Sequence, residues 1–171
     1  FKMFGNDSNH QGIVLRTSKL IQPKLEEYIK QTKTMDTDVI IMLDQVTDPS
    51  NIGAILRSCA LFNCKTVIVS NDNAPDITAT MAKAASGALE TVNYISVVNL
   101  SRAIIQFKKN NYWIYGLDSN EKLRDNKNLD LPSKCLLVFG SEGKGMRNLT
   151  KKECDQLISI PIKKNIDYNI E

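Results

Sequence analysis

The chain has 171 residues, 42% of them hydrophobic and 24% charged, and its 22 Lys and Arg against 19 Asp and Glu leave a net charge of +3. Those fractions match globular averages and exclude a disordered, collagen-like or disulfide-framework protein, while the length suits one domain with a real core. The mild positive charge permits a nucleic-acid partner without specifying one.

No apolar run approaches the roughly 20 residues of a membrane-spanning helix; the longest, at residues 39–43, is strand-sized. The N-terminal Phe1-Lys2-Met3-Phe4-Gly5-Asn6 has no apolar core of signal-peptide length. A cytoplasmic protein with no membrane partner is expected, and a start on Phe1 instead of Met implies a longer gene product. The four cysteines (Cys59, Cys64, Cys135, Cys154) contain no CxxC pair, and His10 is the single histidine. Reduced, mostly buried thiols and no metal are therefore expected.

Residues 1–12 are polar and read as a leader or linker; residues 13–171 read as one domain. In chain order the pattern predicts a helix over 18–30, a strand over 39–43, a helix over 51–62 and a strand over 66–69. A helix over 76–88, a strand over 94–98, a helix over 100–110 and a strand over 113–117 follow. After a charged, Asn-rich connection at 120–132 come a strand over 135–139, a helix over 147–156 and a strand over 157–160. The predicted strands are nearly continuous apolar runs, the mark of strands buried on both faces. Alternation with helices implies an α/β fold, an open, mostly parallel sheet with helices on both faces. In such a sheet ligands bind beyond the carboxyl ends of the strands, so the loops leaving the strands are the places to look.

The first such loop is Asp48-Pro49-Ser50-Asn51, a turn with a choice of N-cap side chains. In the helix that follows, Ile52, Ile55, Leu56 and Cys59 form an apolar stripe for the sheet. Gly53 costs helix stability, which implies a close approach there. Arg57, one turn on, is either a solvated helix residue or a planar cationic fork for a phosphate or ribose. Asn51 is either a cap or a site residue.

The second loop, Phe139-Gly140-Ser141-Glu142-Gly143-Lys144-Gly145-Met146-Arg147, runs from a buried strand into three glycines around one carboxylate. Gly140 and Gly145 have the glycine spacing of a phosphate-binding loop, but Met146 stands where its Lys belongs, and the dinucleotide fingerprint lacks its third glycine at Asn148. The loop reads either as a plain glycine-rich turn or as a backbone cradle for a neutral or cationic ligand, with Glu142 as acceptor. The third is Ile158-Ser159-Ile160-Pro161, a strand stopped by proline.

Together and in this order the loops resemble the SpoU branch of the SPOUT RNA methyltransferases. The first family motif resembles Asp48-Pro49-x-Asn51-x-Gly53-x-x-x-Arg57, the second Phe139-Gly140-x-Glu142-Gly143-x-Gly145, and the third Ile158-x-Ile160-Pro161. Ser86-Gly87-Ala88 and Gly116-Leu117-Asp118 are similar to family positions between them. His10-Gln11-Gly12 is similar to the junction between an RNA-binding domain and the catalytic domain in the members that methylate guanosine of ribosomal RNA.

The resemblance implies transfer of a methyl group from S-adenosylmethionine to a ribose 2′-hydroxyl, in rRNA or alternatively tRNA, by a homodimer with an α/β knot. It implies that Arg57, Asn51 and Glu142 are catalytic and that Leu117, Gly140 and Ile160 hold the cofactor. Past Pro161 the family continues with a Ser-Leu-Asn-Val-Ser-like segment that completes a trefoil knot. Asn169, in Tyr-Asn-Ile-Glu, matches that segment poorly, so the chain is expected to stop just short of it. A catalytically silent RNA-binding relative and an unrelated nucleotide-binding α/β protein are the other readings.

Overall fold

The computed structural model describes residues 18, 20–72, 74–119 and 130–160. The leader, His10-Gln11-Gly12, most of the 120–132 connection and the chain beyond Ile160, on which the knot expectation rests, lie outside the described residues. Every predicted strand and helix forms. In order they are α1 (Leu25–Thr32), β1 (Asp38–Asp44), α2 (Pro49–Leu61), β2 (Thr66–Ser70), α3 (Ala79–Ala85), a short 3-10 turn (Ala88–Glu90) and β3 (Asn93–Val97). Then follow α4 (Leu100–Lys108), β4 (Trp113–Leu117), β5 (Lys134–Gly140), α5 (Asn148–Glu153) and β6 (Gln156–Ile158). The sheet order is β3-β2-β1-β5-β4-β6, with every pairing parallel.

The apolar runs are buried on both faces, as predicted. Ile40 and Met42 of β1, with Leu136 and Val138 of β5, pack under α1 and α4. Leu43, on the other face of β1, packs with Ile52, Leu56 and Cys59 of α2 and Met81 and Ala85 of α3. Helices therefore cover both faces, and the apolar stripe of α2 does face the sheet.

The helix ends depart from prediction for identifiable reasons. The first helix begins at Leu25, not residue 18, because Pro23 biases Gln22 to an extended backbone; Gln22 Oε1 instead accepts from Tyr94 N (2.8 Å) on the sheet's edge strand. The third helix starts at Ala79, where Thr78 Oγ1 accepts from Met81 N (3.1 Å). It stops before Ser86 and Gly87, whose φ angles of 49° and 90° are left-handed. The fifth ends at Glu153, since Asp155 leaves the helix to bond both main-chain groups of Ile114: its N donates to Ile114 O and its Oδ2 accepts from Ile114 N, each at 2.9 Å. All four cysteines are free, and three are buried.

At the amino edge of the sheet Asp38, 8% exposed, accepts from Tyr28 Oη at 2.7 Å and Tyr112 Oη at 2.5 Å. Burial pushes both phenols far above the usual tyrosine value, so the folded state holds protons that the unfolded chain releases above about pH 10. Stability from these groups is complete below that pH and is lost as pH rises beyond it. Tyr112→Phe leaves the Asp38 carboxylate one donor short, and urea denaturation at pH 7 should show a loss of about 1–3 kcal/mol with a flatter decline above pH 10. An unchanged midpoint at pH 7 refutes this account of the cluster.

Candidate active site

The register brings the three predicted loops to one edge. Leu43 pairs with Phe139 and Asp44 with Gly140 across β1 and β5; Leu117 pairs with Phe139 on one side and Ile158 on the other. The strand order reverses at β1, between β2 and β5, and the crevice at such a switch point is where open α/β sheets bind ligands. Leu117 and Gly140 are half-buried there, and Ile160, two residues past β6, is 63% exposed.

The helix cap is supplied by Asp48 and not by Asn51. Asp48 Oδ1 accepts from Asn51 N at 2.8 Å, and Pro49 opens the helix. The Asn51 side chain is exposed and makes no hydrogen bond among the described residues. Arg57 is likewise exposed, with no hydrogen bond or ion pair among the described residues. Helical geometry sets the two about 9 Å apart along the axis and about 120° apart around it. Glu142 is exposed at the tip of the β5 loop. No hydrogen bond or ion pair joins Asn51, Arg57 and Glu142 among the described residues.

Two glycines serve packing that the sequence alone does not reveal. The close approach expected at Gly53 is real, but its partner is α3: an added Cβ would lie 2.6 Å from both Ala84 Cβ and Met81 O. At Gly140 the close partner is the loop's own returning backbone, since a Cβ would sit 2.2 Å from Gly145 C and 2.3 Å from Met146 N. The loop closes through Gly145 N to Ser141 O (2.8 Å) and Ser141 N to Gly145 O (3.3 Å), with Gly145 at φ 65°. Gly143 faces open space.

Three polar residues given no role from sequence stand at the same edge. Asp44 is fully buried and accepts from Arg147 N (2.8 Å) and Arg147 Nε (2.7 Å). Gln45, at φ 64°, donates from Nε2 to Gly145 O (3.2 Å). A polar pair ending an apolar strand was the only local signal; the partners lie about a hundred residues away in the chain. Asp118, after β4, accepts from Lys151 Nζ of α5 at 2.6 Å. Burial raises the Cys154 thiol to about 11, so it supplies no thiolate at neutral pH. Among the described residues no group of three His, Cys, Asp or Glu could hold a metal ion.

The profile of the SpoU rRNA Methylase family matches residues 38–168. The chain belongs to that family. Within it, this SpoU chain is 38% identical over 155 residues to the 23S rRNA (guanosine-2′-O-)-methyltransferase RlmB of Escherichia coli K12, covering 90% of this chain and 63% of RlmB. It is 38% identical over 158 residues to an uncharacterized tRNA/rRNA methyltransferase of Synechocystis, covering 92% of this chain and 41% of that one. The chain therefore spans about two fifths to just under two thirds of these relatives. Among solved structures, the SpoU methyltransferase AviRb of Streptomyces viridochromogenes, in complex with AdoMet, superposes with a TM-score of 0.68 at 22% identity over 78% of this chain and 52% of AviRb. The A. aeolicus TrmH/SpoU tRNA modifying enzyme gives 0.66 at 21% identity over 81% of this chain and 72% of that one. These likenesses establish the fold, the parallel α/β sheet of the SPOUT methyltransferases.

Proposed function

We propose that this SpoU chain carries the catalytic domain, residues 13–171, of an S-adenosylmethionine-dependent RNA ribose 2′-O-methyltransferase acting on a guanosine of ribosomal RNA. The observation that carries the reading is the meeting of all three motif loops at one sheet edge, in a chain 38% identical to an rRNA guanosine methyltransferase over 155 residues. The donor set suits that cofactor: Leu117, Gly140 and Ile160 offer aliphatic surface and main-chain groups for adenine and ribose, with no metal-type cluster among the described residues. Bound there, S-adenosylmethionine supplies an electrophilic methyl on a sulfonium.

The chain's own residues then have to hold a weak nucleophile in line. Arg57, exposed and without a hydrogen bond or ion pair among the described residues, is placed to grip the ribose or its phosphate. A guanidinium keeps its charge, so Arg57 stabilises the charge that builds on the 2′-oxygen instead of removing the proton. Asn51 and Glu142 orient the sugar. Working as a homodimer in the cytoplasm, the protein would span its RNA with both subunits. The RlmB likeness favours rRNA over tRNA.

The decisive experiment incubates the full-length protein with S-adenosylmethionine and separately with rRNA and tRNA, then maps 2′-O-methyl groups. One modified guanosine in rRNA is the expected product. A tRNA product moves the substrate assignment; cofactor binding with no transfer to either RNA leaves a silent relative. Neither binding nor transfer ends the enzyme reading.

A further inference from the structure

The exit of β1 grips the glycine-rich loop through residues that the catalytic assignment leaves unused. Both carboxylate oxygens of the fully buried Asp44 are taken by one residue, Arg147, at 2.7 and 2.8 Å. Burying a charge is costly unless it is paired and hydrogen-bonded in good geometry, so a buried carboxylate at a strand end must be fixing something in place. The next residue adds a second cost. Gln45 sits at φ 64°, a conformation that residues with a Cβ adopt only when their surroundings enforce it. That backbone carries its amide to Gly145 O, the same carbonyl that closes the loop on Ser141.

The three bonds bear on the returning end of the loop, while Glu142 at its tip makes no hydrogen bond or ion pair among the described residues. We infer that Asp44, Gln45 and Arg147 are positioning residues that hold the 141–145 loop in its closed form, so that its main chain meets the cofactor and Glu142 meets the ribose. The inference rests on the methyltransferase reading above and extends it to residues that touch neither the reacting atoms nor the cofactor. Strain and buried charge concentrated beside a binding site are spent on pre-organisation.

Gln45→Gly separates this role from simple support of the fold, because glycine relaxes the left-handed backbone while removing the amide. Gln45→Glu keeps the length and replaces the donor with an acceptor, and Asp44→Asn removes the charge. For each, the full-length protein is assayed for thermal midpoint without ligand, for S-adenosylmethionine affinity by calorimetry, and for kcat and KM separately. The expected result for Gln45→Gly is an unchanged or higher midpoint with Kd and KM for S-adenosylmethionine raised about tenfold or more and kcat changed less. Gln45→Glu should lose the same affinity. Wild-type Kd and KM in both Gln45 variants overturn the inference, even where Asp44→Asn fails to fold. If the wild-type protein itself binds no S-adenosylmethionine, the proposed function falls and this inference with it; a binding wild type beside unaffected variants removes the inference alone.

Discussion

Arg57→Ala is expected to reduce methyl transfer by roughly a thousandfold, to assay background, while the protein unfolds at the wild-type temperature. The two halves come from one observation. The side chain is exposed on α2 and has no hydrogen bond or ion pair among the described residues, so the fold loses nothing with it; surface truncations of this kind stay within about 0.5 kcal/mol. A cation aimed at developing negative charge is worth roughly 10²–10³ in rate per donor removed, and a planar fork that also orients the ribose adds a share of positioning. Arg57→Lys keeps the charge but not the fork, and should recover only a minor part of the rate. Wild-type turnover by Arg57→Ala in a labelled-methyl assay would remove Arg57 from the mechanism, and a large fall in thermal midpoint would show that the residue supports the fold instead.

The strands were legible because their signal is local. A run such as Val67-Ile68-Val69 is buried on both faces and needs no distant partner to be recognised. Helix ends were less legible, although the determinants were visible: Pro23 delays α1, and Ser86-Gly87 stops α3 in a left-handed pair. At the proposed site the motifs single out Asn51, Arg57 and Glu142, and all three side chains are exposed. What could not be read is how the site is held together. Asp44 reaches Arg147 across 103 residues and Gln45 reaches Gly145 across 100, and no periodicity links such positions. Gly53 shows the same limit, since its missing Cβ signalled a close neighbour but not that the neighbour was α3.

Gly140 converts that hidden architecture into a measurable difference between two glycines of one loop. A methyl group at Gly140 would meet backbone, the carbonyl carbon of Gly145 at 2.2 Å and the nitrogen of Met146 at 2.3 Å, and backbone cannot swing aside as a side chain does. Met146 is itself 4% exposed in the core shared by α1, α4 and the sheet, so moving it transmits the strain inward. Gly140→Ala should therefore cost about 1–3 kcal/mol, which for a domain of this size lowers the thermal midpoint by about 2–4 °C per kcal/mol. It should also push the 141–145 loop off β1 and abolish S-adenosylmethionine binding. Gly143→Ala, two residues beyond Ser141 in a space with no heavy atom within 4 Å, is the matched control: its stability should stay within about 0.5 kcal/mol of wild type. Equal midpoints for the two variants would mean that the loop does not close against Gly140, because only the tight return of the chain distinguishes these positions.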